Sequence, residues 1–91
     1  MTYAPEFGSQ AKKALKGLDK TTARRLAQRL EELSRAPFDP RLSKPVIMSP
    51  GRRSSRVGEW RIIFRINEED QVLYVAAICP RGKAYSSLPK E

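Results

Sequence analysis

Arg56-Val57-Gly58-Glu59-Trp60-Arg61-Ile62-Ile63-Phe64 opens a run that closes at Ile78-Cys79-Pro80-Arg81, and its reading decides the fold. The run reads as two successive hairpins whose apolar residues build half a core while their arginines converge on one face. Gly58 stands at the first central position of a two-residue loop, the type II′ pattern, which sets Val57 opposite Trp60 and Arg56 opposite Arg61. Asn67-Glu68-Glu69-Asp70 serves as a four-residue loop, pairing Ile66 with Gln71 and Arg61 with Ala76. On this register Trp60, Ile62, Phe64 and Ile66 share the core face with Leu73, Val75 and Ala77. Arg56, Arg61, Ile63 and Arg65 share the other face with Val72, Tyr74 and Ala76.

Directly opposed side chains have Cβ atoms about 4.5–5.5 Å apart, and like charges there are destabilising. Two readings of the Arg56–Arg61 pair stand: an anion neutralises it, or Glu59 forms a local ion pair on the turn. Charge counting favours the anion, because from Arg41 to Arg65 there are seven basic residues against Glu59 alone. Beyond the last strand, Pro80 and Gly82 stop the ladder. Arg81 and Lys83 return to the end of the sheet that carries Arg56 and Arg61. Tyr85 is either a base-stacking aromatic beside the cations or a cover for the C-terminal segment.

Upstream of this run, Pro5 cannot donate to a ladder, so Thr2 to Phe7 reads as an edge strand. Ala11, Ala14, Leu15 and Leu18 recur at helical spacing after Gly8-Ser9, giving a short helix that ends near Gly17. Asp19 caps a longer helix with Ala23, Leu26, Ala27, Leu30 and Leu33 on one stripe. Arg24, Arg25, Arg29, Glu31, Glu32 and Arg35 read mainly as its solvated face, and Pro37 ends it. A helical hairpin with one apolar stripe per helix must cover a sheet. From Arg41 to Ser55, Pro45, Pro50 and Gly51 interrupt the pattern, which predicts a loop or irregular strand.

The chain of 91 residues has room for a single domain, 1–91, whose core buries little more than about 60% of the unfolded surface. A multi-step enzyme with its own cofactor domain does not fit, and no metal or cofactor is expected. With 18 Lys and Arg against 10 Asp and Glu, the formal charge is +8, and without histidine it is insensitive to pH near neutrality. That balance favours a polyanion, nucleic acid above a membrane surface. No apolar run approaches the roughly 18 residues of a spanning helix, and no signal peptide is recognisable. The lone Cys79 fits a reducing, cytoplasmic setting and reads as a small buried strand residue, not a nucleophile.

The order of a short N-terminal strand, a helical hairpin, the Val57-Gly58-Glu59-Trp60-Arg61-Ile62-Ile63-Phe64 strand, an acidic turn, an apolar strand ending before Arg81 and a tyrosine at Tyr85 resembles the RelE/ParE toxin superfamily. The resemblance covers nearly the whole chain and is most specific from Arg56 to Tyr85. It implies an α+β fold, an N-terminal helical hairpin packed on a small antiparallel β-sheet. RelE-like members cut messenger RNA in the ribosomal A site and are neutralised by a cognate antitoxin that wraps them. ParE-like members share the fold but poison DNA gyrase without being nucleases.

The resemblance carries catalytic roles to Arg61, Arg81, Tyr85 and Arg56. Arg61 falls on the strand arginine near the scissile phosphate, and Arg81 on the one that stabilises the transition state. Tyr85 falls on the tyrosine that stacks against or orients the base, and Arg56 on the second of two basic residues before the turn. Ser54 replaces the first of those two, leaving the general base open; Arg52, Arg53 or Lys83 could supply the missing charge. Arg52, Arg53, Arg65, Lys83 and Lys44 are the expected RNA-binding residues. The implied partners are an antitoxin, in a hetero-oligomer, and the ribosome with its messenger. A gyrase-directed toxin and an inactive basic RNA-binding module remain the alternatives.

Overall fold

In the computed structural model the chain begins with β1 (Ala4–Phe7), followed by α1 (Ser9–Lys16), α2 (Lys20–Arg35), β2 (Lys44–Pro45), β3 (Arg52–Val57), β4 (Trp60–Asn67) and β5 (Val72–Pro80). The structure describes residues 2–47 and 49–80. Each helix boundary has a local cause. The Gly17 N–H closes α1 onto the carbonyls of Ala14 and Leu15. The Asp19 carboxylate caps α2 by accepting from the Thr22 N–H at 3.2 Å. Helix α2 stops at Arg35, two residues before Pro37, whose ring and missing N–H cannot continue a helix. Leu26, Leu30 and Leu33 form its buried stripe. Ala27, expected on that stripe, is exposed, because a 3.6-residue turn carries it past the sheet.

The sheet runs β1-β5-β4-β3-β2. Contrary to a purely antiparallel expectation it is mixed, since β1 lies parallel to β5, from Ala4 opposite Val72 to Phe7 opposite Val75. Two helices and three strands separate those partners, so no hairpin imposes opposite directions. Beyond the end of β1, the Gln10 side-chain amide takes over the pairing. Its Nε2 donates to the Ile78 carbonyl at 3.1 Å and its Oε1 accepts from the Ile78 N–H at 2.8 Å.

The first hairpin has the expected register, with Val57 opposite Trp60 and Arg56 opposite Arg61. Gly58 supplies the positive φ, +59°, that the first loop position demands. The second hairpin differs from expectation. Asn67 pairs with Val72 and Ile66 with Leu73, not with Gln71. Asn67 keeps its backbone in the ladder while its Oδ1 accepts from the Asp70 N–H at 3.0 Å, and Gln71 closes the turn at φ +56°. A β-bulge follows: Phe64 faces Val75 but Ile63 faces Ala77, leaving Ala76 as the extra residue. Arg61 therefore faces Cys79, not Ala76.

The bulge also exchanges the faces of the last strand. Ile78 enters the helix-covered core beside Ile62, Phe64, Leu73, Val75, Leu26, Leu33 and Ala11. Ala77, expected there, joins Ile63 and Cys79 in a separate buried cluster on the other face. Full burial of a side chain such as Phe64 or Ile78 contributes about 1.5–3 kcal/mol, so the core fixes which face carries the arginines.

The stretch from Arg41 to Ser55 is more ordered than its prolines suggest. β2 and the first four residues of β3 lie within it. The Ser43 hydroxyl donates to the Pro37 carbonyl at 2.7 Å, and Ser55 Oγ donates to the Leu42 carbonyl at 2.6 Å. These bonds close residues 37–43 into a pinned loop beside β3. No helix among the described residues is long and apolar enough to cross a membrane.

Candidate functional site

Strand alternation sorts the basic side chains into two sets. Arg53, Ser55 and Val57 point to the helix-covered side of β3, because their partners Phe64, Ile62 and Trp60 belong to the core. Arg52, Ser54 and Arg56 point the other way, opposite Arg65, Ile63 and Arg61. Lys44 joins this second face opposite Ser54. Of the sequence-derived candidates, Arg56, Arg61, Arg52, Arg65 and Lys44 thus share one face. Arg53 does not: its Nε donates to Ser43 Oγ at 2.8 Å and its guanidinium lies 5.3 Å from the Phe38 ring centroid. Arg81, Lys83 and Tyr85 lie outside the described residues.

The face holds two opposed arginine pairs with different surroundings. Arg52 is 6% exposed, and its partner Arg65 stacks its guanidinium 5.3 Å from the centroid of Tyr74. Arg56 is exposed and Arg61 half-buried, and this pair opens into a cleft of about 260 Å³ where β2 stops. Arg29 from α2, Arg41 from the pinned loop and Lys44 from β2 complete its cationic wall, with Ser43 and Ser54 between them. Five cations therefore converge, and no carboxylate lines the cleft among the described residues. Glu59, the local alternative, forms no ion pair with Arg56 or Arg61; the ion pairs among the described residues are Arg29–Glu32, Arg35–Glu31 and Arg41–Asp39.

The opposite end of the same face has the reverse character. A cleft of about 760 Å³ there is bounded by Glu6, Glu68, Glu69 and Asp70 together with Arg65 and Tyr74. The two ends of this face thus carry opposite charge.

Arg41 is presented by its neighbour. Its Nη2 donates to Asp39 Oδ2 at 2.9 Å, and this hydrogen bond holds the Asp39 carboxyl below the usual carboxylate range and raises the Arg41 guanidinium. Cys79 faces Arg61 across the ladder, but burial pushes its thiol up, against thiolate chemistry. The remaining chemistry is that of guanidinium forks, which match two phosphate oxygens at once and keep their charge.

The sequence missed Arg29 and Arg41 as site residues. Arg29 falls on the polar side of a helical stripe, and nothing in that pattern marks it as the arginine that reaches β3. Arg41 follows Asp39-Pro40, where only the folded loop shows that it turns toward the cleft. Of the charges considered for the place of Ser54, Arg53 lies on the opposite face, while Lys44 stands directly across the β2–β3 ladder from Ser54.

The family model for the ParE toxin of type II toxin-antitoxin systems, parDE, matches residues 6–85. Among solved structures, the RelBE2 toxin-antitoxin complex of Mycobacterium tuberculosis is similar at 25% identity and a TM-score of 0.77, covering 89% of this chain and 100% of that one. The archaeal RelE-RelB complex of Pyrococcus horikoshii OT3 is similar at 28% identity and a TM-score of 0.72, covering 92% and 100%. The free toxin RelE of E. coli, a mutant form, shares the fold at 19% identity and a TM-score of 0.78, covering 94% and 90%. No curated protein matches.

Proposed function

The chain belongs to the ParE toxin family of type II toxin-antitoxin systems, within the RelE/ParE superfamily, and on that premise we propose that it is a ribosome-dependent messenger-RNA endonuclease held in check by an antitoxin. One observation carries this reading: Arg56 and Arg61 are opposed in a cleft of five cations that no carboxylate among the described residues lines. A phosphate between them can accept from both guanidinium groups.

In the proposed reaction the ribose 2′-oxygen attacks its own 3′-phosphate and the 5′-oxygen leaves, giving a 2′,3′-cyclic phosphate and a 5′-hydroxyl. The 2′-oxygen must lose a proton and the leaving oxygen must gain one. Arg56 and Arg61 stabilise charge on the non-bridging phosphorane oxygens. Guanidinium groups do not exchange protons at neutral pH, so they cannot act as base. Lys44, beside Ser54 and in the same cleft, adds an ammonium that donates to a phosphate oxygen. Arg81 and Tyr85 complete the set, taking transition-state charge and orienting the base. With electrostatics supplied by the protein and in-line geometry by the ribosome, free RNA is cut weakly. The similar RelE structures crystallised with RelB support an antitoxin as the regulating partner of this chain.

The family model's description as a ParE toxin, together with Ser54 in place of a basic residue, favours a second reading: a non-nucleolytic toxin of DNA gyrase. Purified protein added to ribosomes programmed with a defined messenger separates the two. The first reading expects cuts bearing 2′,3′-cyclic phosphate ends that need the ribosome and disappear in Arg61→Ala. Intact messenger under those conditions, with inhibited gyrase supercoiling, would establish the second.

A further inference from the structure

Arg29 enters the cleft from the helix side and is held by three hydrogen bonds. Its Nε donates to Glu32 Oε1 at 3.3 Å, and its Nη1 donates both to Ser55 Oγ at 2.9 Å and to the Arg56 carbonyl at 2.8 Å. Ser55 Oγ passes the chain of bonds to the Leu42 carbonyl. Three bonds, one to Glu32 on α2 and two to β3, therefore fix one guanidinium plane, and Ser55 is itself tied to the pinned loop. The remaining amino group, Nη2, has no partner among the described residues, although the side chain lines the cleft and keeps 24% exposure. Glu32 takes up Nε from the neighbouring groove, outside the cleft wall.

A staple between helix and strand requires only the Nη1 bonds. An arginine with its plane already fixed and one two-proton donor left over has lost its rotamer entropy before a ligand arrives, which is the condition for strong anion binding. We propose that Arg29 is a substrate-binding residue, its Nη2 donating to a phosphate of the RNA strand held by Arg56 and Arg61. The strand then crosses the open edge of β3 that β2 leaves uncovered, gripped from both sides of the sheet. This inference rests on the RNA reading of the cleft.

Binding of a fully 2′-O-methylated hexauridylate, which cannot be cleaved, tests it in the full chain as a function of salt. Arg29→Gln is expected to bind about tenfold more weakly, the loss of one charge-assisted hydrogen bond. It should also lower the slope of log affinity against log salt by about 0.7, one phosphate contact on a single strand. Ser55→Ala removes an anchor but no charge, so it should lower thermal stability and leave the slope unchanged. An Arg29→Gln slope equal to wild type, with only stability reduced, would show Arg29 to be a staple and overturn the inference. Arg56→Gln and Arg61→Gln separate this from failure of the RNA reading, which would appear as unchanged slopes in those two variants. Should Arg29→Gln not fold, the Arg29 guanidinium resonances of the wild-type chain provide the measurement. They are expected to shift on titration with the same oligonucleotide, and their constancy would equally overturn the inference.

Discussion

Replacing Arg56 by glutamine should make the folded chain more stable while weakening its proposed activity. Arg56 and Arg61 are directly opposed on adjacent antiparallel strands, a position in which like charges cost about 0.2–1 kcal/mol. Arg56 is the exposed member, so its side chain contributes little packing, and the Arg29 bond is to its carbonyl, which the substitution keeps. A gain of about 0.5 kcal/mol in a domain this small raises Tm by about 2–4 °C. Because the cause is Coulombic, the gain should be present at low salt and nearly absent at 1 M, where the Debye length is about 3 Å. Thermal unfolding of wild type and Arg56→Gln at the two salt concentrations measures it. A variant that melts below wild type at low salt, or whose advantage persists at 1 M, would refute the idea that the fold holds two cations together at a cost that a phosphate later offsets.

Other consequences of the structure are as direct. A Cβ at Gly8 would lie 2.6 Å from the Tyr74 hydroxyl and 3.3 Å from its Cζ, so Gly8→Ala should destabilise by about 1–3 kcal/mol in denaturant unfolding, with partial recovery on adding Tyr74→Phe. Ile78→Ala should cost about 2–4 kcal/mol, because the bulge places Ile78 in the helix-covered core. The Asp19 carboxyl is depressed in the folded chain, chiefly by the side-chain hydrogen bond with Thr22 and then by the Thr22 backbone. Its contribution is therefore complete above the unfolded carboxylate range near pH 4 and lost as pH falls through the lower folded value. The Tm deficit of Asp19→Ala should accordingly be constant near neutrality and shrink in acid.

The helices, the core face of the central strand and the first hairpin were legible because each rests on a local rule: the Asp19 cap, the leucine spacing, the Gly58 loop. The second hairpin was not. An Asn67 side chain that caps its own turn and a bulge at Ala76 both leave the hydrophobic alternation intact while moving the register, so Ile78 and Ala77 exchanged faces. The first part of β3, Arg52 to Ser55, was hidden for the opposite reason: arginine and serine lack strand propensity, and pairing with Ile62 to Arg65 supplies what propensity does not. Within the candidate site, the Arg56–Arg61 opposition followed from a two-residue loop alone. Arg29 and Arg41 did not, because they reach the cleft through tertiary contacts between elements far apart in sequence.

Mapping messenger ends in translating cells after induction of the chain is the most direct test of the proposed nuclease. Wild type is expected to produce cuts within translated codons, and both Arg61→Ala and Arg56→Ala should abolish or strongly reduce them at equal expression. Growth arrest with intact messengers, or cuts that persist unchanged in both variants, would contradict the reading of this cleft as the place where RNA is held and broken.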